Sequence, residues 1–311
     1  MATKLGLADQ LSQGAKSCEE LATEMGVHTN SLLHILGLLA QVGIVAVDKN
    51  GNYKLTSFGS DLRSDSPTSL RANTLALGEI SFPAWGNLLY SIKTGRAAFD
   101  KTFQMSVYEY LNQNAEANTN FNRWMEEIAR EWTIPVLDGC DFSRVNTFVD
   151  VGGNIGTLTI PILKKYPNLQ AILFDQPHVV SEAEKVLKAA DVAERCQVIG
   201  GSFFESVPVG GDLYILSRVL LNWDNDHALK ILKNCRAVMT NSAKLLIIDS
   251  VLPKEKVNTL LLLSSLSLLV YGGRLMRTED EYYELLDKAG FQSPRLIHTG
   301  GMISFIETVP M

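Results

Sequence analysis

The first 60 residues carry a pattern of short helices followed by a hairpin. Ser17 and Glu20 have the spacing of a capping box and predict the start of one helix. Apolar residues at helical spacing predict a second helix over residues 32–42, which Gly43 ends. Apolar runs flank an Asn-Gly turn at residues 48–52, and this arrangement predicts a β-hairpin. Together these elements predict a winged-helix-like N-terminal domain.

The next stretch, residues 65–140, has the spacing of helices and is dense in aromatic side chains. Aromatic residues at helical spacing usually pack in a core, but they can also wall a pocket for a flat organic molecule. Both interpretations stay open for the residues concerned, which are Trp85, Tyr90, Phe99, Tyr108, Tyr110, Phe121, Trp124 and Trp132.

From residue 147 onwards, short apolar strands alternate with helical patterns. The predicted strands cover residues 147–151, 171–175, 213–216, 244–248, 295–297 and 303–307. The predicted helices include residues 158–166, 228–238 and 279–289. Because strands that alternate with helices build a doubly wound sheet, we expect an α/β fold, with a Rossmann-like domain and a mostly parallel sheet.

Length and composition agree with this organisation. The chain has 311 residues, of which 46% are hydrophobic and 20% are charged, as is typical of globular proteins. We divide it into a winged-helix-like domain at residues 1–65, a helical region at 66–140 that we expect to cover a substrate, and a Rossmann-like domain at 141–311.

The charge pattern argues against nucleic acid binding. The net charge is −6 and no basic run exceeds two residues, whereas a DNA-binding surface concentrates Lys and Arg on one face. The predicted helix over residues 32–42 contains no Arg or Lys that could contact a base or a phosphate. We therefore expect its apolar face to pack against another chain.

Cysteine usage and hydropathy bear on the compartment. The four cysteines form no CxxC pair and have no His at zinc-ligand spacing, so we predict no metal site and expect reduced thiols. The most apolar stretch, residues 260–271, contains three serines and is shorter than the roughly 20 residues of a membrane span. The N-terminus has no apolar signal core. We expect a soluble, cytoplasmic protein that does not bind a membrane.

A cofactor site is predicted at the ends of the first two Rossmann strands. Asp150 lies in the first strand, the glycines Gly152, Gly153 and Gly156 follow it, and Asp175 ends the second strand. Glycines let the backbone approach a ligand, and the second carboxylate can accept the hydroxyls of a ribose. Asp150 would repel a phosphate and attract a cation. The pattern therefore favours S-adenosylmethionine, a cation without phosphate, over a dinucleotide.

Several segments carry a family resemblance that covers nearly the whole chain. They read FVDVGGNIGTLTIPILKKYPNLQAILFDQPHVV, GSFFESVP, SRVLLNWDNDHALKILKNC and FNRWM. With them the chain resembles the class I S-adenosylmethionine-dependent O-methyltransferases of small molecules. These are plant and bacterial natural-product enzymes with an N-terminal winged-helix dimerisation domain. The resemblance implies the same cofactor, a small-molecule substrate and a homodimer.

The resemblance also implies a cofactor contact for each matching residue. Asp150, Gly152 and Gly153 would lie beside the methionine part of the cofactor, and Asp175 would hold the ribose. The other implied cofactor residues are Gln176 beside the ribose, Ser202, Phe203 and Phe204 around the adenine, and Ser217 and Arg218 near the carboxylate or sulfonium end.

The catalytic segment departs from the family pattern. Relatives have a His that removes the proton of the substrate hydroxyl, and here Leu221 stands at that position, followed by Asn222. Asp249 stands where the family has a Glu that orients the His. It could act as a weak base, as a hydrogen-bond acceptor for substrate, or only as a strand-end residue. We assign Asp249, Asn222 and the Leu221 position to the catalytic site.

Two chemical functions follow from this departure. Methyl transfer can proceed without a base if the acceptor is already deprotonated or neutral, because proximity and alignment then supply most of the rate. The alternative is an enzyme of the same fold that binds S-adenosylmethionine but catalyses a cyclisation or pericyclic step, and a non-catalytic partner is a third interpretation. The expected substrate is a small, flat, apolar natural-product intermediate in contact with Trp85, Phe121, Trp124, Met125, Tyr271 and Met276.

Overall fold

The computed structural model describes residues 1–255 and 257–311, without the side chains of Val136 and Asp138. The chain forms two compact units. The smaller unit comprises Met1–Leu88 and Phe99–Glu127, and the larger unit comprises Leu89–Ala98 and Ile128–Met311. The predicted division into domains at 1–65, 66–140 and 141–311 stays a prediction.

The N-terminal part of the smaller unit consists of helices and a hairpin. Its elements are α1 (Leu7–Gln10), the 3₁₀ turn Leu11–Gln13, α2 (Cys18–Met25), α3 (Thr29–Gln41), β1 (Val45–Val47) and β2 (Tyr53–Leu55). The hairpin and the capping box at Ser17 and Glu20 are confirmed. The predicted start of the second helix is wrong by three residues, because the ring of His28 caps α3 by accepting the N–H of Ser31.

Short helices follow one another between residues 57 and 128, and the sequence predicts helices over residues 65–140. The elements are α4 (Ser57–Ser60), α5 (Arg71–Ala76), the π-helical turn Leu77–Ser81, α6 (Phe82–Trp85), α7 (Leu88–Thr94), α8 (Ala98–Phe103), α9 (Val107–Gln113) and α10 (Ala115–Ile128). The buried carboxylate of Glu127, near the end of α10, accepts the backbone N–H groups of Ala72 and Asn73. It thereby caps α5 and joins two distant parts of the smaller unit.

The larger unit is built on a seven-stranded sheet. Its strands are β3 (Thr147–Val151), β4 (Gln170–Asp175), β5 (Cys196–Gly200), β6 (Leu213–Ser217), β7 (Lys244–Asp249), β8 (Phe291–His298) and β9 (Ser304–Pro310), in the order β5-β4-β3-β6-β7-β9-β8. Pairs among β3 to β7 are parallel, whereas β9 pairs antiparallel with both β7 and β8. This confirms the predicted mostly parallel α/β fold.

Helices cover both faces of the sheet. They include the π-helical turn Ala129–Thr133, the 3₁₀ turns Ile134–Gly139, Ala193–Arg195 and Leu220–Asn222, and the helices α11 (Thr159–Lys165), α12 (Pro177–Ala189), α13 (Asn225–Val238), α14 (Thr259–Gly272) and α15 (Glu279–Lys288). Alternate residues of each strand point to opposite faces of the sheet, so they pack in two separate cores. Val149 and Val151 pack with α13 and α15, whereas Phe148 packs with α11 and α12.

Strand β5 is missing from the sequence-based prediction. Its five residues, Cys196–Gly200, mix polar and apolar side chains and are only partly buried, because β5 is an edge strand. A continuous apolar run, which marks a central parallel strand, is therefore absent from this segment. Among the residues that the structure describes, no helix is both long and apolar enough to cross a membrane.

Candidate active site

The turn after β3 is closely packed and leaves no room for side chains. Gly152 has a φ of +78°, and a Cβ atom on it would lie 2.8 Å from a methyl carbon of Val219. A Cβ atom on Gly153 would lie 2.7 Å from the carboxyl carbon of Asp150. Only glycine fits at both positions, so the backbone of this turn can be approached closely by a ligand.

Asp150 is buried just before this turn, with a side chain that is 1% exposed. Its Oδ2 accepts the hydroxyl of Thr159 at 2.7 Å, whereas its Oδ1 has no hydrogen-bond partner among the described residues. Burial raises the pKa of Asp150 to about 6, against the lowering effect of Thr159, and nearby Asp175 raises it further. A buried carboxylate oxygen without a donor is costly, and a cationic ligand would relieve that cost.

Asp175 ends β4, which pairs directly with β3. Its Oδ2 accepts the backbone N–H of Asn154 at 2.9 Å and its Oδ1 accepts that of Gln176 at 2.7 Å. Burial raises the pKa of Asp175, and these two hydrogen bonds oppose the rise. The structure therefore fixes this carboxylate beside the glycine turn, while the side chain of Gln176 is exposed.

The residues expected around an adenine form a small aromatic group. The rings of Phe203 and Phe204 meet edge to face with centroids 4.8 Å apart. The hydroxyl of Ser202 accepts the N–H of Phe204 at 3.3 Å. A Cβ atom on Gly152 would lie 3.7 Å from the ring of Phe203. The structure thus brings this group next to the glycine turn.

A short turn follows β6, which ends at Ser217. Arg218 has a φ of +55°, and its carbonyl accepts the side-chain amide of Asn222 at 2.8 Å. Asn222 therefore braces the turn from within. Leu221, at the position of the expected base, is only 6% exposed and offers no proton acceptor.

Asp249 holds this turn from the end of β7. Its Oδ2 accepts the backbone N–H of Leu221 at 3.1 Å and the hydroxyl of Tyr282 at 2.9 Å, and its Oδ1 accepts the N–H of Ser250 at 2.9 Å. Burial raises the pKa of Asp249 to about 6, although Arg218 and these donors lower it. The carboxylate is thus bonded to protein groups through both oxygens.

Arg277 supports the same turn, and sequence reasoning misses it together with Tyr282. The guanidinium donates to the carbonyls of Leu220 at 2.7 Å and Trp223 at 2.5 Å, and to the side chain of Asn225 at 2.9 Å. One signal in the sequence was available: Arg277 immediately precedes the capping box that opens α15.

His227 lies six residues after Leu221 but serves a helix cap. Its Nδ1 lies 2.7 Å from an oxygen of Asp224, the residue that caps α13, and its ring is half exposed. Its ring centroid is 5.5 Å from that of Phe204. The imidazole of His227 therefore contacts Asp224 at the protein surface, beside the ring of Phe204.

The residues expected to contact substrate lie in both units. In the smaller unit, Phe121 and Trp124 on α10 meet edge to face at 5.8 Å, with Met125 next to them, and Trp85 ends α6. All four are partly buried. The larger unit contains Tyr271 and Met276.

Met276 is buried in an apolar cluster of the larger unit with Leu261 and Met302. Trp132 packs against this cluster and is half-buried. Tyr271 lies near the end of α14 and is also partly buried. Across residues 1–255 and 257–311, no group of three or more His, Cys, Asp or Glu side chains is arranged to hold a metal ion.

The donors and acceptors around the glycine turn fit S-adenosylmethionine. Two carboxylates, Asp150 and Asp175, stand at adjacent strand ends, and one has a buried oxygen without a partner. A sulfonium and an ammonium group match this negative charge, and a ribose matches a carboxylate at the end of the second strand. The closely packed glycines leave the backbone open to that ligand.

Comparison with known proteins gives the family. A model of the O-methyltransferase domain matches residues 85–292. The phenazine O-methyltransferase PhzM of Lysobacter antibioticus is 37% identical over 311 residues, which is 100% of this chain and 91% of that protein. The 3-amino-4-hydroxybenzoate 4-O-methyltransferase of Streptomyces cremeus is 34% identical, over 94% of this chain and 80% of that protein.

A solved structure of a similar protein contains two bound ligands. The O-methyltransferase NcsB1 from neocarzinostatin biosynthesis was solved in complex with S-adenosylmethionine and 2-hydroxy-5-methyl naphthoic acid. It is 28% identical with a TM-score of 0.86, and the match covers 100% of this chain and 94% of that one.

Proposed function

We propose a function for this chain from one premise: it belongs to the O-methyltransferase family and is an S-adenosylmethionine-dependent methyltransferase. Its acceptor, we propose, is a small, flat aromatic intermediate of natural-product biosynthesis that is methylated on oxygen or nitrogen. The observation that carries the use of S-adenosylmethionine is the pair of adjacent carboxylates at the glycine turn, one with an unpartnered buried oxygen among the described residues.

The proposed cofactor residues are those that the family resemblance implies, and the close packing of the glycine turn supports them. Asp150, Gly152 and Gly153 would line the methionine part, and the carboxylate of Asp175 would accept the ribose hydroxyls, with Gln176 beside it. The remaining proposed contacts are Ser202, Phe203 and Phe204 at the adenine, and Ser217 and Arg218 near the carboxylate or sulfonium end. When bound, S-adenosylmethionine supplies an activated methyl group.

The residues of the chain then hold and align the acceptor, and none of those assigned to the catalytic site removes a proton from it. Leu221 is buried and cannot accept a proton. Asp249 is bonded to the Leu221 backbone and to Tyr282, so we assign it a positioning role, and Asn222 braces the same turn. Alignment of an acceptor that is already ionised, or that is a neutral amine, would supply most of the rate.

The acceptor class rests on two supports. The phenazine, hydroxybenzoate and naphthoic acid named for the relatives are flat aromatic molecules. The chain carries buried and partly buried aromatic and apolar side chains in each unit. We propose as acceptor contacts Trp85, Phe121, Trp124, Met125, Tyr271 and Met276. The alternative of a cyclisation or pericyclic reaction gains no support from the relatives, which are methyltransferases.

Product analysis tests this proposal. The enzyme is incubated with S-adenosylmethionine and 1-hydroxyphenazine, 3-amino-4-hydroxybenzoate or 2-hydroxy-5-methyl naphthoic acid, and the methylated product and S-adenosylhomocysteine are measured by mass spectrometry. We expect equal amounts of both with at least one acceptor. Asp175→Ala should weaken binding of S-adenosylhomocysteine in calorimetry by about tenfold or more, whereas the exposed Asp141→Ala should not.

Conversion of an acceptor without S-adenosylhomocysteine would contradict methylation, and no heat of binding for S-adenosylhomocysteine would contradict the cofactor site.

The N-terminal helices and hairpin point to self-association. We propose that this winged-helix-like region forms a homodimer through the apolar side chains that α3 exposes, among them Leu33 and Leu38. All four cysteines are free thiols, which supports our proposal that the protein works in the reducing cytoplasm.

A further inference from the structure

A buried tyrosine in the first turn of α15 is bonded to the carboxylate that ends β7. The side chain of Tyr282 is fully buried, and its hydroxyl donates to Oδ2 of Asp249 at 2.9 Å. The same oxygen accepts the backbone N–H of Leu221 at 3.1 Å. Tyr282 is therefore connected to the turn after β6 through a single shared oxygen atom.

The start of α15 is itself held by hydrogen bonds. Thr278 caps the helix and forms a capping box with Glu281, so the side chain of each residue binds the backbone N–H of the other. The backbone carbonyl of Arg277 accepts the N–H of Leu252, beyond the end of β7, at 3.0 Å. Because these bonds fix the first turn of α15, the Tyr282 hydroxyl has a defined position beside Asp249.

A second side chain from the same helix start binds the opposite side of the turn. The guanidinium of Arg277 donates to the carbonyls of Leu220 at 2.7 Å and Trp223 at 2.5 Å. It also lies over the ring of Tyr282, 5.8 Å from the centroid. Arg277 thus holds carbonyl groups of the turn, whereas Tyr282 acts through Asp249 on the N–H of Leu221. Both contacts depend on the start of α15.

Several groups that face Asp249 favour its ionised form. Burial raises the pKa of Asp249 to about 6. The charge of Arg218 opposes that rise, followed by the hydrogen bonds from the Tyr282 hydroxyl and the Ser250 N–H. The charge of Arg277 acts in the same direction. Removal of the Tyr282 hydroxyl should therefore raise the pKa of Asp249 further, because a donor to the carboxylate is lost.

The Tyr282 hydroxyl stays a hydrogen-bond donor at any pH near neutrality. Burial raises the pKa of Tyr282 well above its usual value, and the negative charge of Asp249 adds to that rise. A hydroxyl that keeps its proton can donate it to an ionised carboxylate, which is an acceptor only. Asp249 is buried and bonded through both oxygens. The pair is therefore built to support the turn and not to take a proton from the acceptor.

We propose that Tyr282 is a positioning residue for methyl transfer: its hydroxyl holds Oδ2 of Asp249 where that oxygen binds the Leu221 N–H, and so keeps the turn after β6 aligned with the acceptor. The inference rests on the proposed methyltransferase function and deepens it.

The lack of a base makes alignment important in this enzyme. Leu221 cannot accept a proton, so the rate of methyl transfer depends on how the acceptor is held. A displacement of about 1 Å in such a site can cost about 100-fold in rate. Loosening the Leu221 N–H should therefore lower kcat, while the cofactor residues at the ends of β3 and β4 keep their affinity.

Two measurements that need no acceptor test this role. Ionisation of Asp249 is followed by carbon NMR of enzyme that is isotope-labelled at the aspartate Cγ atoms, and its signal is identified by its absence from Asp249→Asn. Amide hydrogen exchange of residues 218–223 is followed by mass spectrometry in enzyme loaded with S-adenosylhomocysteine. The test variant is Tyr282→Phe, which removes only the hydroxyl. The matched control is the neighbouring Tyr283→Phe, whose hydroxyl accepts the N–H of Leu296 at 3.2 Å.

In Tyr282→Phe we expect Asp249 to titrate about one pH unit higher than in the wild type, because one hydrogen bond to the carboxylate is lost. Compared with the wild type at the same pH, exchange of residues 218–223 should be about fivefold faster at about pH 6. At about pH 8.5 the difference should be less than about twofold, since the carboxylate is ionised there in both proteins. Tyr283→Phe should match the wild type in both measurements.

Kinetics with an acceptor that the enzyme methylates give the functional measurement. The kcat of Tyr282→Phe should fall about fivefold at about pH 6 and recover to within about twofold of the wild type at about pH 8.5. The KM for S-adenosylmethionine should differ from that of the wild type by less than about twofold at both pH values. Asp249→Asn cannot ionise, so its kcat should stay low at both. A loss of packing in Tyr282→Phe would instead lower kcat equally at the two pH values.

Three results would overturn the positioning role. The first is an unchanged titration of Asp249 in Tyr282→Phe, and the second is a loss of kcat that does not depend on pH. The third is a higher kcat in Tyr282→Phe, which would make Asp249 a base that the tyrosine blocks. If none of the acceptors named above is methylated, the proposed function fails. The titration and exchange measurements then still decide whether Tyr282 holds the turn, so the two failures are distinct.

Discussion

Two buried carboxylates in the larger unit share a raised pKa of about 6 but differ in their partners. Asp249 accepts three hydrogen bonds, two of them from backbone groups. Asp150 accepts one, and its second oxygen has no partner in the described part of the chain. Although both carboxylates are buried, Asp249 holds a turn through its hydrogen bonds, whereas Asp150 keeps one oxygen available for a ligand.

The first prediction concerns the pH dependence of cofactor binding. The pKa of Asp150 is raised to about 6 by burial, whereas an unfolded Asp has a pKa of about 3.9. The folded chain therefore keeps this proton up to about pH 6, and ionisation then costs stability unless a cation is bound. We expect S-adenosylmethionine to bind more tightly as pH rises from 5 to 6, by up to about tenfold per unit, and to level off above 7, measured by calorimetry.

Two variants serve as controls for this pH dependence. Asp150→Asn should flatten the slope and weaken binding at pH 7.5. Asp249→Asn should keep the slope, although Asp249 has a similar pKa, because its carboxylate is bonded to protein groups. A slope that disappears in Asp249→Asn and survives in Asp150→Asn would contradict the assignment.

The second prediction concerns the missing base. Leu221→His places an imidazole in a buried site where Asp249 is already bonded to the Leu221 backbone and to Tyr282. Nothing then orients the new ring, so we expect the rate of methyl transfer to a phenol to rise by less than tenfold, against the roughly 10²–10⁴-fold of a working base. The pH–rate profile of kcat should gain no limb near pH 6.5.

If Leu221→His raised the rate of methyl transfer a hundredfold and its pH–rate profile gained a limb near pH 6.5, the pocket would still accommodate a base. Leu221→Met, which keeps the volume and adds no proton acceptor, is the matched control.

At the scale of elements, one turn depends on a residue far along the chain. The guanidinium of Arg277 donates to two carbonyls of the segment after β6 and to Asn225. Arg277→Lys leaves a point charge where a planar fork is needed. We expect a loss of about 3 kcal/mol in the free energy of unfolding and a fall of roughly 5–10 °C in Tm, measured by calorimetry. The control is Arg295→Lys at an exposed position, which should leave Tm unchanged. If both variants have the same Tm, Arg277 does not stabilise the turn.

Sequence patterns predict elements well where one face or both faces are buried. The strands β3, β4, β6 and β7 follow from short apolar runs, because parallel strands in the middle of a sheet are covered on both faces. Edge strand β5 lacks that pattern. The strand order and the antiparallel pairing of β9 depend on long-range packing, which local periodicity does not record.

In the site, too, features set by neighbouring residues could be predicted from the sequence, whereas contacts between residues far apart in the chain could not. Asp150 and Asp175 could be placed at adjacent strand ends from spacing alone, because Asp150 is the last residue but one of β3 and Asp175 is the last residue of β4, in one βαβ unit. The bond from Tyr282 to Asp249 joins residues 33 positions apart. The stacking of Arg218 on Trp132 likewise depends on tertiary structure. Such contacts could not be predicted from a single sequence.

For the whole molecule, the exposed apolar side chains of the smaller unit bear on assembly. Leu38 on α3 is 65% exposed, and Leu33, Val42 and Phe58 are also exposed. A group of large apolar side chains on the surface usually marks an interface. In a twofold dimer each such side chain is buried twice, once on each protomer.

Leu38→Lys tests the proposed homodimer. Burying a lysine charge at both copies of a twofold contact costs several kcal/mol in total, since the substitution also occurs twice. We expect light scattering after size-exclusion chromatography to give a dimer mass for the wild type and the 34.3 kDa monomer mass for the variant. Val209→Lys replaces an equally exposed apolar residue of the larger unit, and it should remain dimeric. A wild type that is monomeric at micromolar concentration, or a Leu38→Lys variant that stays dimeric, would remove α3 from the interface.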